Sequence, residues 1–237
     1  MQSDLARLLE AAQSAAPDAE WLGLRRRTGY QQVFVAQDGA MELAAEGSDN
    51  GIMVEAFHAG QFGYAATPDT SPSGIAAAAK NALIAAKAAS GLGVHRFSLD
   101  VRPPTRTEWH SPRVKKAAVP ADIVYDFLFK ACAALKVSDA VIQTQSMIES
   151  GSYEYELVST NGAAIEQSIH YMGINLQAIA RDGTIVQRRT ANGPRGLTRQ
   201  GGWELLDMPA LLQKAHIVGK EAVELLCAQN CPSDRRT

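Results

Sequence analysis

Five histidines (His58, His95, His110, His170 and His216) and three cysteines (Cys132, Cys227 and Cys231) are the side chains of this 237-residue chain best suited to hold a metal or to attack a substrate. None sits at a spacing that such chemistry needs. A helical zinc pair requires two imidazoles on one face with a carboxylate between them, as in His-Glu-x-x-His, and no histidine here belongs to such a pattern. His58 and His170 fall in alternating, strand-like stretches, and His216 lies on a helical stretch away from its main apolar stripe. Cys227 and Cys231 are four apart, but no second pair or neighbouring histidine completes a tetrahedral set. Cys132 falls within a helical pattern, where a small buried side chain fits, whereas a nucleophilic thiolate wants an exposed, electropositive setting.

Other chemistries fare no better. No Gly-x-Ser-x-Gly elbow occurs. Gly91-Leu92-Gly93 has phosphate-loop spacing but follows a helix instead of opening one. Strand alternation places Glu42, Glu55, Glu149, Glu154, Glu156 and Glu166 on a solvated face. Gln187-Arg188-Arg189-Thr190, running into Asn192-Gly193-Pro194-Arg195-Gly196 and Arg199-Gln200-Gly201-Gly202, could bind a carboxylate or a backbone segment. The competing reading is a flexible solvated loop. No catalytic, cofactor-binding or metal-binding residue is therefore assigned.

The elements that would position any site are clearer. Gln31 to Thr67 and Glu154 to Ala191 each carry a turn pair between alternating apolar runs, Asp38-Gly39 and Asn161-Gly162, and a second pair about twenty residues on, Ala59-Gly60 and Asp182-Gly183. Type I′ turns need positive φ at both central residues, so each stretch reads as an antiparallel meander and the unit as used twice. Ser3 caps a first helix bearing Leu5, Leu8, Leu9 and Ala12, and Trp21 to Arg27 reads as a strand that Gly29 turns. Alternation splits Arg25, Arg26 and Arg27 between two faces, as a solvated edge. Ser71-Pro72 opens an alanine-rich helix with Ile75, Ala79, Ala82 and Ala86 on one face, closed by Gly91. Past Pro120, Ile123, Phe127, Ala131 and Ala134 share a helical face, Ala140 to Ile148 is a strand, and Asp207 with Pro209 starts a last helix carrying Leu211, Ala215, Val218, Ala222 and Leu225.

The expected fold is α+β: two similar halves, each a helix, an antiparallel meander of about five strands and a closing helix, packed in layers. The halves span 1–100 and 120–237, joined by a proline-rich connecting segment at 101–119 that reads as a surface linker. A net charge of −2 argues against a general nucleic-acid surface. Met1 to Gln13 lacks the pattern of a signal peptide, and no run of about 18 apolar residues occurs. A cytoplasmic protein with free thiols and no membrane partner is expected.

Three blocks, VSTNGAAIEQ (158–167), GIMVEAFHAGQFGYAATPD (51–69) and the closing ELLCAQNCPSDRRT (224–237), resemble the TldD/PmbA family, long called modulators of DNA gyrase and read as metallopeptidases. The resemblance covers essentially the whole chain and follows the family's amino-terminal domain. It implies that zinc is held by a His-Glu-x-x-x-His motif in a carboxy-terminal domain of TldD-type chains, that PmbA-type partners lack the motif, and that the two kinds dimerise to cleave unfolded peptides. That zinc helix is expected to begin beyond Cys231-Pro232, so no cofactor and no metal ligand is carried onto this chain. An ending on Asp234-Arg235-Arg236-Thr237 fits the amino-terminal part of a longer product. The function expected is thus a non-metal-binding part of a zinc metallopeptidase that shapes the peptide cleft and dimer contacts, inactive by itself, partnered by a homologous chain and an unfolded peptide. The alternative is a stand-alone peptide- or partner-binding module without catalysis. A gyrase-related nucleic-acid regulator is disfavoured by the charge.

Overall fold

The computed structural model describes residues 4–93, 95–111, 114, 118–193 and 196–229. α1 (Asp4–Ala15) leads into three strands, β1 (Trp21–Gln37), β2 (Ala40–His58) and β3 (Gln61–Thr67), and then α2 (Pro72–Leu92). A short β4 (Arg106–His110) precedes α3 (Ala121–Leu135), β5 (Val141–Ser159), β6 (Ala164–Asp182), β7 (Ile185–Thr190), β8 (Leu197–Gln200) and α4 (Met208–Glu224). The class is α+β, and the order helix, strands, helix is given twice. The eight-stranded sheet runs β3-β2-β1-β5-β6-β4, with β7 and β8 also paired to β6.

Each half has fewer and longer strands than the turn residues suggested. Gly29 does not turn the chain but sits inside β1, where a Cβ would lie 2.1 Å from Asp49 Oδ1 and 3.0 Å from the Tyr153 ring. Gly151 sits inside β5, where a Cβ would lie 2.6 Å from the Tyr171 ring. In both places the missing side chain makes room for an aromatic ring on a neighbouring strand, a packing use of glycine and not a turn. Asp38 (φ 51°) and Gly39 (φ 80°), and Ala59 (φ 47°) and Gly60 (φ 81°), form the expected two-residue turns. Asn161-Gly162 is different: β5 and β6 are joined by residues 160–163, and of the pair Gly162 alone has positive φ (92°). The next turn is shifted by one residue, to Gly183-Thr184.

By contacts the chain forms two compact units, each assembled from separated stretches of sequence. One compact unit comprises 1–30, 47–111 and 152–169, and the other 31–46, 112–151 and 170–237. In the first, Leu5, Leu8 and Ala12 of α1 and Ile75, Ala79 and Ala82 of α2 cover Leu22, Leu24, Ile52, Val54 and Ala56. The alanine stripe lets α2 lie against β3 so closely that a Cβ on Gly63 would meet Ala82 O at 2.0 Å. Ser71 caps α2, its Oγ accepting from the Gly74 N–H at 3.2 Å, with Pro72 in the first turn. The helix runs on past Gly91 to Leu92, and Gly93 ends it. The expected cap at Ser3 lies outside the described residues.

In the second unit, Val124, Phe127, Leu128, Ala131 and Leu135 of α3 and Ala215, Val218 and Ala222 of α4 enclose Phe34, Ala36, Ile148, Leu176, Ala178 and Ala180. The buried face of α3 is rotated one residue from the expected one, and Ile123 is exposed. Asp207 caps α4 through the Ala210 N–H at 3.1 Å. No helix among the described residues is long and apolar enough to cross a membrane.

Candidate functional site

The connecting segment expected at 101–119 contains a strand. β4 lies parallel to the start of β6, with Arg106 opposite Ala164 and His110 opposite Ser168. At its ends Thr105 O accepts from the Ala164 N–H (2.9 Å) and the Ser111 N–H donates to Ser168 O (2.8 Å). In a parallel ladder alternate residues bond to the same neighbour. Thr107 and Trp109 therefore bond to β6, and the N–H and C=O groups of Arg106, Glu108 and His110 point away from it. All five residues of β4 are exposed, and no described strand pairs with that outer side. The result is a short open edge with three outward residues.

Four carboxylates, Glu108, Glu154, Glu156 and Glu166, stand around the edge, with apolar side chains among them. His110 Nδ1 lies 2.9 Å from Ser168 Oγ and its Nε2 lies 2.5 Å from Glu108 Oε1. Glu108 stands directly opposite Glu166. A cavity of about 330 Å³ is bordered by Thr107, Glu108, Glu156 and Glu166 together with the apolar Leu157, Val158, Ala164 and Ile165, and one of about 400 Å³ by His110, Glu154, Tyr155, Glu166 and Ser168. Such an edge can accept an extended polypeptide by backbone hydrogen bonds, which tolerate many sequences, with shallow hollows beside it, one mixed and one polar, for side chains. Short length and charged side chains guard the edge against indiscriminate pairing.

The segment that delivers β4 is held by Asn161, read from the sequence as a turn residue, and by Glu55 and Arg25, read as solvated. Asn161 donates through Nδ2 to Arg102 O (2.8 Å), while its Oδ1 accepts from Trp21 Nε1 (3.0 Å) and Ser159 Oγ (2.5 Å). Arg102 Nε and Nη2 each lie 3.2 Å from Glu55 Oε2, and Arg25 Nη2 lies 2.5 Å from Glu55 Oε1. Glu55 is 1% exposed, which overturns the solvated face expected for it. A carboxylate enclosed this fully needs charged partners, and it has two. β1 lies between β2 and β5, so Arg25, Arg26 and Arg27 are not on a sheet edge. Arg26 instead bonds Asp4 of α1 and Glu156, and Arg27 lies over the Tyr153 ring beside Asp49. The sequence signal for Glu55 was available: it is a charged residue inside an apolar run, Met53-Val54-Glu55-Ala56-Phe57.

The other residues singled out by type are dispersed. His58 Nδ1 lies 3.1 Å from Asp18 O, His95 packs edge-on against Phe97, and His216 is exposed on α4. Cys132 is buried, its Sγ 3.5 Å from Ala36 O and 3.4 Å from Ser146 Oγ, and Cys227 is exposed; Cys231 lies outside the described residues. Among the described residues no three His, Cys, Asp or Glu side chains gather to hold a metal ion. No donor set among the described residues fits a zinc ion, which the resemblance implies for a different domain. The arginine- and glycine-rich stretch is split as well. Arg189 bonds Glu221 of α4 at 2.6 Å, Leu197–Gln200 is β8, and Pro194 and Arg195 lie outside the described residues.

Two family models match: PmbA/TldA metallopeptidase domain 1 over residues 24–86 and the PmbA/TldA metallopeptidase central domain over 115–230. A protein described as a metalloprotease from Methanothermobacter thermautotrophicus is 25% identical over 217 residues, which are 91% of this chain and 45% of that protein. Among solved structures, a putative modulator of DNA gyrase from Bacteroides thetaiotaomicron aligns with a TM-score of 0.68 at 14% identity, over 95% of this chain and 50% of that one. TldE from Thermococcus kodakarensis aligns with a TM-score of 0.58 at 12% identity, over 93% and 47%. At those identities the structural likeness concerns the fold. This chain spans about half the length of the relatives it matches.

Proposed function

The chain belongs to the PmbA/TldD metallopeptidase family, and from that premise we propose that it supplies the non-metal-binding part of a peptidase, shaping the peptide cleft and the contacts with a second, homologous chain. The observation that carries this reading is the open outer edge of β4, with three outward-facing backbone positions beside one mixed and one polar hollow. An unfolded peptide has free backbone groups along its whole length, and an added strand satisfies them without reading its sequence. Each such hydrogen bond contributes about 1 kcal/mol net, so a three-residue edge holds a peptide weakly and leaves the rest of the affinity to a partner chain. Zinc and the hydrolytic step are assigned to the part of the family beyond this chain. In this reading the protein acts in the cytoplasm and uses neither nucleic acid nor membrane.

The test is a peptide-cleavage assay with added zinc. The chain by itself is expected to leave an unfolded peptide intact, and cleavage is expected once a metal-bearing TldD-type chain is added. Hydrolysis by this chain and zinc in the absence of any partner would overturn the proposal. Glu108→Pro probes the edge itself. It removes an outward N–H without removing a bond to β6, as edge strands tolerate. Peptide binding should weaken about fivefold or more in that variant while its thermal unfolding stays close to that of the parent. Metal-independent peptide affinity that no partner converts into cleavage would assign the chain to the alternative, a stand-alone binding module.

A further inference from the structure

We propose that Arg102 and Asn161 are positioning residues that latch the segment ahead of β4 and thereby fix the register of the open edge against β6. The inference rests on the reading of β4 as the receiving edge and goes beyond it in naming what holds that edge in place. β4 is exposed at all five residues and pairs with one neighbour, so no buried face of its own specifies its register. What surrounds it supplies the missing constraint. The backbone of Arg102 is gripped by Asn161, and its guanidinium is tied to the buried Glu55 and lies 4.9 Å from the centre of the Phe62 ring. Three residues later Thr105 O takes the Ala164 N–H, and Arg106 Nε donates to Gly162 O at 3.1 Å.

Both ends of the stretch from Arg102 to Arg106 are thus clamped to the same β5–β6 connection. That connection is itself pinned to the start of β1. The Thr160 N–H donates to Leu22 O (2.9 Å), the Leu22 N–H donates to Thr160 Oγ1 (3.1 Å), and Trp21 Nε1 holds the Asn161 side chain. A slip of one residue would turn every β4 side chain to the other face and exchange its outward and inward backbone groups. Pro103 and Pro104 stiffen the intervening chain, so a displacement at Arg102 is passed on instead of absorbed. Glu55 orients the guanidinium, and its second partner, Arg25, keeps the carboxylate paired when Arg102 is removed.

Residue-resolved amide hydrogen exchange on the intact chain tests this. The reporters are the Thr107 and Trp109 N–H groups on β4, the Ser111 N–H just after it and the Ala164 N–H on β6; amides in the middle of α2, such as those of Ala79 and Leu83, are the controls. Arg102→Ala and Asn161→Ala should each raise exchange at the reporters about tenfold with the controls unchanged. Arg102→Lys, which keeps the charge and loses the fork, should fall between. Unchanged reporters would overturn the latch, and so would reporters and controls rising by the same factor, which marks general destabilisation. Binding of fluorescein-labelled oxidised insulin B chain is followed in parallel. Faster reporter exchange with weaker binding supports the latch and the receiving edge together. Faster reporter exchange with binding unchanged supports the latch and removes β4 as the peptide site.

Discussion

Glu55 shows how one side chain can govern a segment far away in sequence. It is enclosed on β2, yet its two oxygens are divided between Arg25 on β1 and Arg102 on the approach to β4. Removing the carboxylate leaves two guanidinium groups without the counter-charge they share. Because both arginines keep some solvent contact, the cost is set below that of a fully buried pair. Glu55→Ala should lower stability by about 2 kcal/mol in urea unfolding. Asp69 provides a pH prediction at the same scale. The Ser71 hydroxyl and N–H that hydrogen-bond its carboxylate hold its pKa below the usual carboxylate range. A carboxyl whose pKa is lower in the folded chain stabilises the fold fully above its unfolded value, and the contribution is lost as pH falls through the folded value. Thermal melts recorded from neutral to acidic pH should therefore fall less steeply for Asp69→Asn than for the parent. Asp18, held low by its hydrogen bond and charge contact with Lys87, acts in the same direction.

Between elements, close backbone approach is the constraint most sensitive to substitution. Gly63 on β3 faces α2, and a methyl group there would lie 2.0 Å from Ala82 O and 2.3 Å from Ala86 N. Gly219 on α4 faces the end of α3, with Leu135 O at 2.2 Å from the same imagined atom. In neither case is the obstacle a flexible side chain, so a helix must shift. Gly63→Ala and Gly219→Ala should each cost about 2–3 kcal/mol by chemical denaturation, although alanine is ordinarily the better strand and helix former. Gly47, whose Cβ would meet nothing within 4 Å, is the control and should tolerate alanine with little change. The cap of α2 is a smaller effect: Ser71→Ala should cost about 1 kcal/mol, read as a lower melting temperature.

For the molecule as a whole, the family matches cover a first and a central domain, and the chain spans about half the length of its relatives. The proposed role therefore predicts association. Light scattering of this chain mixed with a metal-bearing homologue should report a two-chain complex, and a mixture whose components elute separately would remove the dimer from the proposal. Much of the architecture was legible beforehand, and for a definite reason. The helices announce themselves through caps, prolines and apolar spacing within a few residues: Ser71-Pro72 before α2, Asp207 and Pro209 around the start of α4. Positive-φ residue pairs marked the turns at Asp38-Gly39 and Ala59-Gly60 in the same local way.

The sequence by itself thus determined the α+β class, the repeated helix–meander–helix order and the family resemblance, because each depends on neighbours within a turn or a strand. Tertiary structure decided the rest. Gly29 lies inside a strand because Asp49 and the Tyr153 ring occupy the space a side chain would need, and Asn161 is a hub because Trp21 and Arg102 reach it from 140 and 59 residues away. Glu55 is buried because two arginines, one of them from the supposed linker, meet it there, and Arg106–His110 is a strand only because the edge of β6 is open to receive it. Turn and cap chemistry is written in adjacent residues, whereas the partner of a buried charge or of a lone strand is fixed only when distant parts of the chain come together.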